Sequence, residues 1–589
     1  MEIHNYQKKQ EKVFFLTCIC LVSSYFIFLK SMAIGHDTSF HMYRLQGIIS
    51  SLQDGQFLPK IYPYTNNGFG YATPLFYCEV FLYPFAILYR LGVPLIISYK
   101  LMRCFYICVS ILSIFFTTEK IFENKKSAPY IATLLYTYCN YHLYDIYLRD
   151  AFGEYLALAC IPLIILSIYK VFEKKENSWI FMGVSFAILL CSHLLSFAMV
   201  CVVFFIYIVF YCIMNHSDAN RLKSRFFVVL KAALLASALS AFFLAPMLEQ
   251  MASQKFLVNY YSEFFDVSKS ATAVDMFFKP FINFSNYKSN GSYCNFNLGL
   301  IFYFGQFIYI YIYHLIKGNG KSILTFSFII SNICILFSIG LAPTFGIFSN
   351  INVIQFAFRF NIVSLALLTY VITYSIIQIK NLKIKNLFIA VIVLYGCINV
   401  LLIFYYDRIS VEHCYNNQTY DEAFSIYTKS DSYDNLELSG GEYLPANDLY
   451  QYKYEDAKYI KIVDEDRYNY YLACNSVDGK DVPIEYERNG SHIYFTYTSE
   501  FNTLMMLPLT YYKGYSVYAI DYDGNVERLG YEDIGRYKQV AFRNKVGTYD
   551  YYCYYEGTTI QKVSLYVSTF TAIVTVAVCV IKAKQRVAK

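Results

Sequence analysis

The chain has 589 residues, of which 57% are hydrophobic and 16% charged, with a formal net charge of +6. Its apolar residues come in runs of about twenty, the length a helix needs to cross a hydrocarbon core of about 30 Å, and lack the 3.6-residue alternation of helices packed on a soluble core. That pattern excludes an ordinary soluble enzyme, and the acidic balance of segment 407–500 argues against a nucleic-acid partner.

The first run, Val13 to Ile34, follows Lys8, Lys9 and Lys12 and carries no small-residue cleavage site, so it reads as a retained first spanning helix. Further runs lie near 75–92, 98–118, 128–147, 153–171, 179–192, 196–214, 226–247, 296–316, 323–340, 356–376, 386–405 and 562–580. Short basic clusters beside these runs, such as Lys125-Lys126, Lys174-Lys175, Arg221–Arg225 and Lys582–Lys589, mark the cytoplasmic side. If 75–92, with Pro74, Glu79 and Pro84 in or beside it, dips into the membrane or lies on its surface, twelve crossings remain and both termini are cytoplasmic.

This scheme predicts a multi-pass domain over 1–406 with external loops at 35–74, 148–153, 248–296 and 341–356, and a final spanning helix with a basic tail over 561–589. Between them, 407–560 is too polar to span and reads as an extracytoplasmic β-rich domain. Ser491–Thr498 and Tyr515–Ile520 alternate, and Asp523-Gly524 supplies a hairpin turn. The predicted fold class is thus an all-α polytopic transmembrane bundle with an extracytoplasmic β-rich domain. The 62 tyrosines suit helix ends at the membrane interface and carbohydrate stacking in the external domain, or simply strand packing. Cys294, Cys414, Cys474 and Cys553 are too far apart in sequence to specify a metal site.

The first external loop opens Gly35-His36-Asp37-Thr38 and continues into an apolar-sided segment with Phe40, Leu45, Ile48 and Ile49, expected to form an amphipathic helix on the membrane. Asp37 has two readings: a general base that accepts the proton of an attacking hydroxyl, or a helix cap. His36 and His41 flank it, and two imidazoles with a carboxylate are chemically adequate for a divalent ion, although the spacing is not a metal signature. In the second external turn Arg149 and Glu154 form either part of a phosphate-binding pocket or an ion pair at a helix junction, with Asp150 and Glu154 on one helical face. Arg359 is the third charged group expected at such a pocket, and His193 either lines it or hydrogen-bonds a neighbouring backbone carbonyl.

These pieces together resemble the YfhO-like and pyruvoyl-tetrahydropterin-synthase-related membrane proteins of the GT-C superfamily. The resemblance rests on Gly35-His36-Asp37 with Phe40, His41 and Arg44, on Gly55–Pro59, Asn67–Gly70 and Thr73–Phe76, and on Arg149–Glu154, His193 and Ile354–Phe360. In the polar domain it adds Glu442–Pro445 and Leu507–Tyr515. It implies a GT-C-like bundle with Asp37 as catalytic base, and Arg149 and Arg359 fall in pieces where such proteins place charged groups near the donor site; the candidate substrate- or phosphate-binding residues are His36, His41, Arg44, Arg149, Glu154, His193 and Arg359. It also implies transfer of a sugar from a polyprenyl-phosphate donor to an envelope acceptor outside the cytoplasm. Two departures stand out: Ala357-Phe358 where the family phrase has Pro-Trp, and Thr38 where many active members carry a second acidic residue.

No Gly-rich phosphate loop followed by Lys-Ser or Lys-Thr occurs, which disfavours direct use of a cytosolic nucleotide sugar. The competing readings are a transporter or flippase of lipid-linked precursors, supported by the interrupted segment 75–92, and a non-catalytic envelope-assembly protein.

Overall fold

The computed structural model describes residues 2–29, 31–33, 35–66, 68–123, 125–259, 272, 279–282, 296–316, 319–341, 354–409, 414–416, 442–445, 460–463, 480–482, 484–534 and 538–587. Most of the expected loops 248–296 and 341–356, and much of 407–486, lie outside these residues, as do Asn67, Cys294 and Cys474. The chain divides into two compact units, the first of residues 1–39, 95–237 and 262–419 and the second of residues 40–94, 238–261 and 420–589.

Eight helices among the described residues are long and apolar enough to cross a membrane: Leu95–Ile121, Phe152–Glu173, Leu194–Met214, Ala219–Ser253, Gly320–Ser338, Ala357–Gln378, Leu382–Tyr405 and Thr559–Gln585. Trp179–Ser192 and Leu300–Leu315 are apolar but shorter. The chain is therefore a multi-span helical membrane protein with a C-terminal antiparallel β-rich portion.

Three sequence expectations need revision. The first helix covers Glu2–Ser23, and the rest of the first apolar run is a 3-10 turn, Tyr25–Phe28, and a short strand, Ser31–Ala33. Hydrophobicity alone could not foresee that break: the Tyr147 hydroxyl donates to the Ser23 carbonyl where the helix ends. The run 128–147 is likewise not one helix. Ala128–Thr137 gives way to a single turn, Asn140–Leu143, and then to a π-helix, Tyr144–Arg149. Finally, Thr38–Gln53 is a helix, but every residue from His41 to Ile49 is buried, so it is an internal helix and not an amphipathic one on the membrane surface.

In the second unit, segment 75–92 carries two short helices, Thr73–Phe76 and Tyr83–Arg90, each with proline in its first turn. Neither reaches the length of a span. Glu79, between them, takes a side-on ion pair from Arg44: Nε lies 3.1 Å from both carboxylate oxygens and Nη2 2.8 Å from Oε2. The His41 Nδ1 accepts from Arg44 Nη1 at 3.2 Å.

The β-rich portion contains two five-stranded antiparallel sheets. One runs in the order Tyr531–Ile534, Gln539–Arg543, Leu504–Thr510, Ile460–Val463, Lys480–Val482; the other runs Glu487–Asn489, His492–Ser499, Gly547–Tyr555, Tyr515–Ile520, Val526–Leu529. Phe542 of the first meets Phe495 and Tyr551 of the second at ring distances of 6.4 and 5.3 Å, so the inward residues of both sheets share a core. The expected hairpin forms at Asp521–Asn525, where Gly524 has φ +81° and its amide donates to the Asp521 carbonyl at 3.0 Å. Cys553 is a buried free thiol on the central strand of the second sheet.

The Arg44–Glu79 pair is buried on both sides, so removing one partner strands the other charge. Glu79→Ala is expected to cost about 3–5 kcal/mol, read as a lower unfolding temperature of the solubilised protein, and Arg44→Met with Glu79→Leu to recover most of the loss. Equal stability of Glu79→Ala and the parent would show that the pair is not structural.

Candidate functional site

In the first unit the Gly35–Thr38 turn is fixed to the end of the π-helix by backbone bonds. The amide of His36 donates to the Leu148 carbonyl at 3.1 Å, and that of Asp37 to the Arg149 carbonyl at 2.8 Å. The approach is close enough to require glycine: a Cβ at Gly35 would lie 2.8 Å from both Asp150 Cβ and the Leu148 oxygen.

Asp150 anchors this junction from below. It leaves the π-helix in the left-handed conformation, φ +53°, and is fully buried. Its Oδ2 accepts from Thr38 Oγ1 at 2.7 Å and from the Tyr99 hydroxyl at 2.8 Å, while Oδ1 lies 3.1 Å from Arg103 Nε. Thr38 Oγ1 in turn accepts the Gly35 amide at 2.8 Å. Thr38 thus ties the turn to Asp150. Because Asp150 is left-handed and outside the helix, it does not share a helical face with Glu154, contrary to expectation.

Glu154, at the start of the helix Phe152–Ile168, is the hub of the charged cluster. Its Oε1 accepts from Arg149 Nη2 at 3.0 Å and Arg359 Nε at 2.7 Å. Its Oε2 accepts from Arg149 Nη1 at 2.7 Å and the Tyr141 hydroxyl at 3.1 Å. Arg149 Nη1 also donates to Asp145 Oδ1 at 2.7 Å, an i,i+4 pair on the π-helix. Arg359 Nη1 donates to the Ile354 carbonyl and to Gln355 Oε1 at 2.9 and 2.8 Å; its Nη2 makes no hydrogen bond among the described residues. Aromatic faces complete the enclosure, with Phe358 4.9 Å from the Arg149 guanidinium and Phe356 4.8 Å from that of Arg359.

Asp37 differs from these carboxylates. It is half-buried, and its side chain makes no hydrogen bond or ion pair among the described residues. It does not cap the helix that follows. Burial pushes its pKa up from the ordinary carboxylate value; Arg149 opposes that shift, Glu154 adds to it and Arg359 opposes it.

His193 ends the helix Trp179–Ser192 and caps Leu194–Met214: the Ser196 amide donates to its Nδ1 at 3.3 Å, which puts the neutral ring's proton on Nε2. It still adjoins the cluster, since a Cβ at Gly153 would lie 3.0 Å from the His193 ring. The backbone partner of His193 is thus an amide and not the carbonyl expected from the sequence. His36 is exposed. His41 and Arg44 belong to the second unit, where Arg44 is committed to Glu79. Among the described residues no group of three or more His, Cys, Asp or Glu is placed to hold a metal ion.

The structure therefore brings Asp37, Arg149, Glu154 and Arg359 together, with His193 at the margin. Sequence reasoning missed Asp145, Tyr141, Tyr99 and Arg103. Asp145 had a usable signal, an acidic residue inside an apolar run four positions before Arg149; the others show only when the chain is folded.

Fold and site define a multi-span membrane protein with a buried arginine–carboxylate cluster and one unpaired carboxylate beside it. Residues 70–406 match the 6-pyruvoyl-tetrahydropterin synthase related domain, described as a membrane protein, and the chain belongs to that family. The matched region includes Arg149, Glu154, His193 and Arg359 and begins after Asp37. The chain is 26% identical over 340 residues to an uncharacterized protein of Lactococcus lactis subsp. cremoris, covering 55% of this chain and 53% of that one, so it matches about half the length of this curated relative. It is also similar to the cryo-EM structure of the arabinofuranosyltransferase AftD from Mycobacteria, with a TM-score of 0.44 and 12% identity over 66% of this chain and 26% of that one.

Gly35→Ala is expected to push the Asp37 turn off the 148–150 backbone and to destabilise the protein by about 1–3 kcal/mol, measured by thermal unfolding. An unchanged unfolding temperature would mean that the turn is not clamped.

Proposed function

We propose that this protein is a GT-C-type membrane glycosyltransferase that moves a sugar from a polyprenyl-phosphate donor to an envelope acceptor. In this reading both termini are cytoplasmic and residues 407–560 lie outside, on the side where the reaction takes place. The observation that carries the proposal is the uncommitted carboxylate of Asp37 beside two guanidinium groups.

Asp37 takes the proton of an acceptor hydroxyl as that oxygen bonds to the anomeric carbon. The bond from that carbon to the phosphate oxygen breaks, and its electron pair leaves with the polyprenyl phosphate. The Arg149, Arg359, Asp145 and Glu154 cluster is formally neutral, so it offers the departing phosphate directed N–H groups rather than net charge. Arg359 Nη2 is the donor best suited, because it has no other bond among the described residues. Such a phosphate leaving group needs no nucleotide-binding loop. The transporter reading draws on the interrupted segment 75–92, but the buried charge there, Glu79, is locked to Arg44 of the helix Thr38–Gln53.

Asp37→Asn is expected to lower transfer from a labelled polyprenyl-phosphate sugar by about 10²–10⁴-fold with normal membrane insertion and unfolding temperature. The parent's rate is expected to fall with acidification through a pKa above the ordinary carboxylate value of about 4, since only the ionised base accepts the proton. Parental turnover by Asp37→Asn would remove the general-base role.

A further inference from the structure

Apart from the Asp37 cluster, the second unit contains a cavity of about 340 Å³. It is lined by Phe57, Leu58 and Lys60 from the first connection, by His492 from the polar domain, and by Lys562 and Leu565 from the C-terminal helix. Nothing in the proposed sugar transfer uses it.

Its charge is unbalanced. Lys60 is half-buried and makes no hydrogen bond or ion pair among the described residues, and burial pushes its ammonium pKa down. Lys562 Nζ lies 3.0 Å from Glu556 Oε1, but that carboxylate is also 3.7 Å from Arg528 and accepts from Ser516 Oγ at 2.8 Å. Two cations, Lys60 and Lys562, thus line the cavity with one carboxylate, Glu556, which is already bonded to Lys562 and Ser516. A partly buried cation without a counter-ion carries a desolvation cost, and an anion entering the cavity would offset it.

Position indicates what kind of anion. Lys562 and Leu565 lie in the first two turns of the membrane-length helix Thr559–Gln585, most of whose apolar residues are left uncovered by protein. Phe57 and Leu58 are 65% and 48% exposed at the cavity, giving it an apolar rim. Basic groups at the point where a helix enters lipid, with apolar side chains around them, match a headgroup phosphate joined to acyl chains.

We propose that this cavity binds the phosphate headgroup of an anionic phospholipid, with the phosphate between Lys60 and Lys562 and the acyl chains along the C-terminal helix. The ligand holds the start of that helix to the 56–61 connection and to the His492 strand on the side of the membrane that carries the β-rich domain. The inference is independent of the sugar-transfer reading, and its test reads lipid binding, not turnover.

The test is native mass spectrometry of the purified full-length protein in detergent, titrated separately with phosphatidylglycerol, phosphatidylcholine and inorganic phosphate. Phosphatidylglycerol is expected to bind at about tenfold lower concentration than phosphatidylcholine, and Lys60→Met and Lys562→Gln each to remove most of that preference. Inorganic phosphate at about 10 mM is expected not to displace the lipid. Lys562 is exposed, so its variant keeps the test open if Lys60→Met unfolds. Equal binding of the two lipids, an unchanged preference in a folded variant, or displacement by inorganic phosphate would overturn the assignment.

Discussion

Two backbone hydrogen bonds, from the amides of His36 and Asp37 to the carbonyls of Leu148 and Arg149, set the position of everything else at the candidate site. They join the first connection to the end of a π-helix, so that the Asp37 side chain stands beside groups more than a hundred residues away in sequence. Side-chain bonds alone would leave a polar turn free to move. Here Gly35 permits the close approach, Thr38 closes the turn, and Asp150 holds Thr38, Tyr99 and Arg103 from beneath. A π-helix ending in a left-handed residue costs more than a regular helix end, and such irregularities are often retained at functional sites.

Charge bookkeeping explains why one carboxylate is singled out. A charge enclosed by protein is tolerable only when matched, because desolvation of an ion costs several kcal/mol even after relaxation. Glu154 meets Arg149 and Arg359, Asp145 meets Arg149, Asp150 meets Arg103, and Glu79 meets Arg44. Asp37 is half-buried, so contact with solvent keeps it affordable without a partner, and that same condition leaves it able to accept a proton. Lys60, on the second unit, is the cationic counterpart, half-buried in a cavity whose lining carboxylate, Glu556, is bonded to Lys562.

Much of this was legible in the sequence, for identifiable reasons. Apolar runs of helical span length located Leu95–Ile121, Leu194–Met214, Leu382–Tyr405 and Thr559–Gln585, because a bilayer demands length and hydrophobicity and little else. Alternation located His492–Ser499 and Tyr515–Ile520 for the same kind of reason, and Asp37, Arg149, Glu154 and Arg359 stood out as charges at the edges of apolar runs. What stayed hidden depended on tertiary contacts. Nothing local shows that the Ser23 carbonyl is taken by Tyr147, or that Tyr141 reaches Glu154. The helix after Asp37 was misread because its apolar side suggested a membrane surface, whereas its polar residues Gln46 and Ser51 are buried too, along with Arg44 and its Glu79 partner.

The account stands on Asp37 being chemically free while the neighbouring carboxylates are occupied. Brief treatment of the native, full-length protein with a water-soluble carbodiimide and an amine, followed by peptide mass spectrometry, measures that difference directly. Asp37 is expected to be amidated at least about tenfold faster than Asp145, Asp150, Glu154 or Glu79, whose carboxylates are buried and ion-paired. Modification of Glu154 or Asp150 at the rate of Asp37, or an inert Asp37, would contradict it.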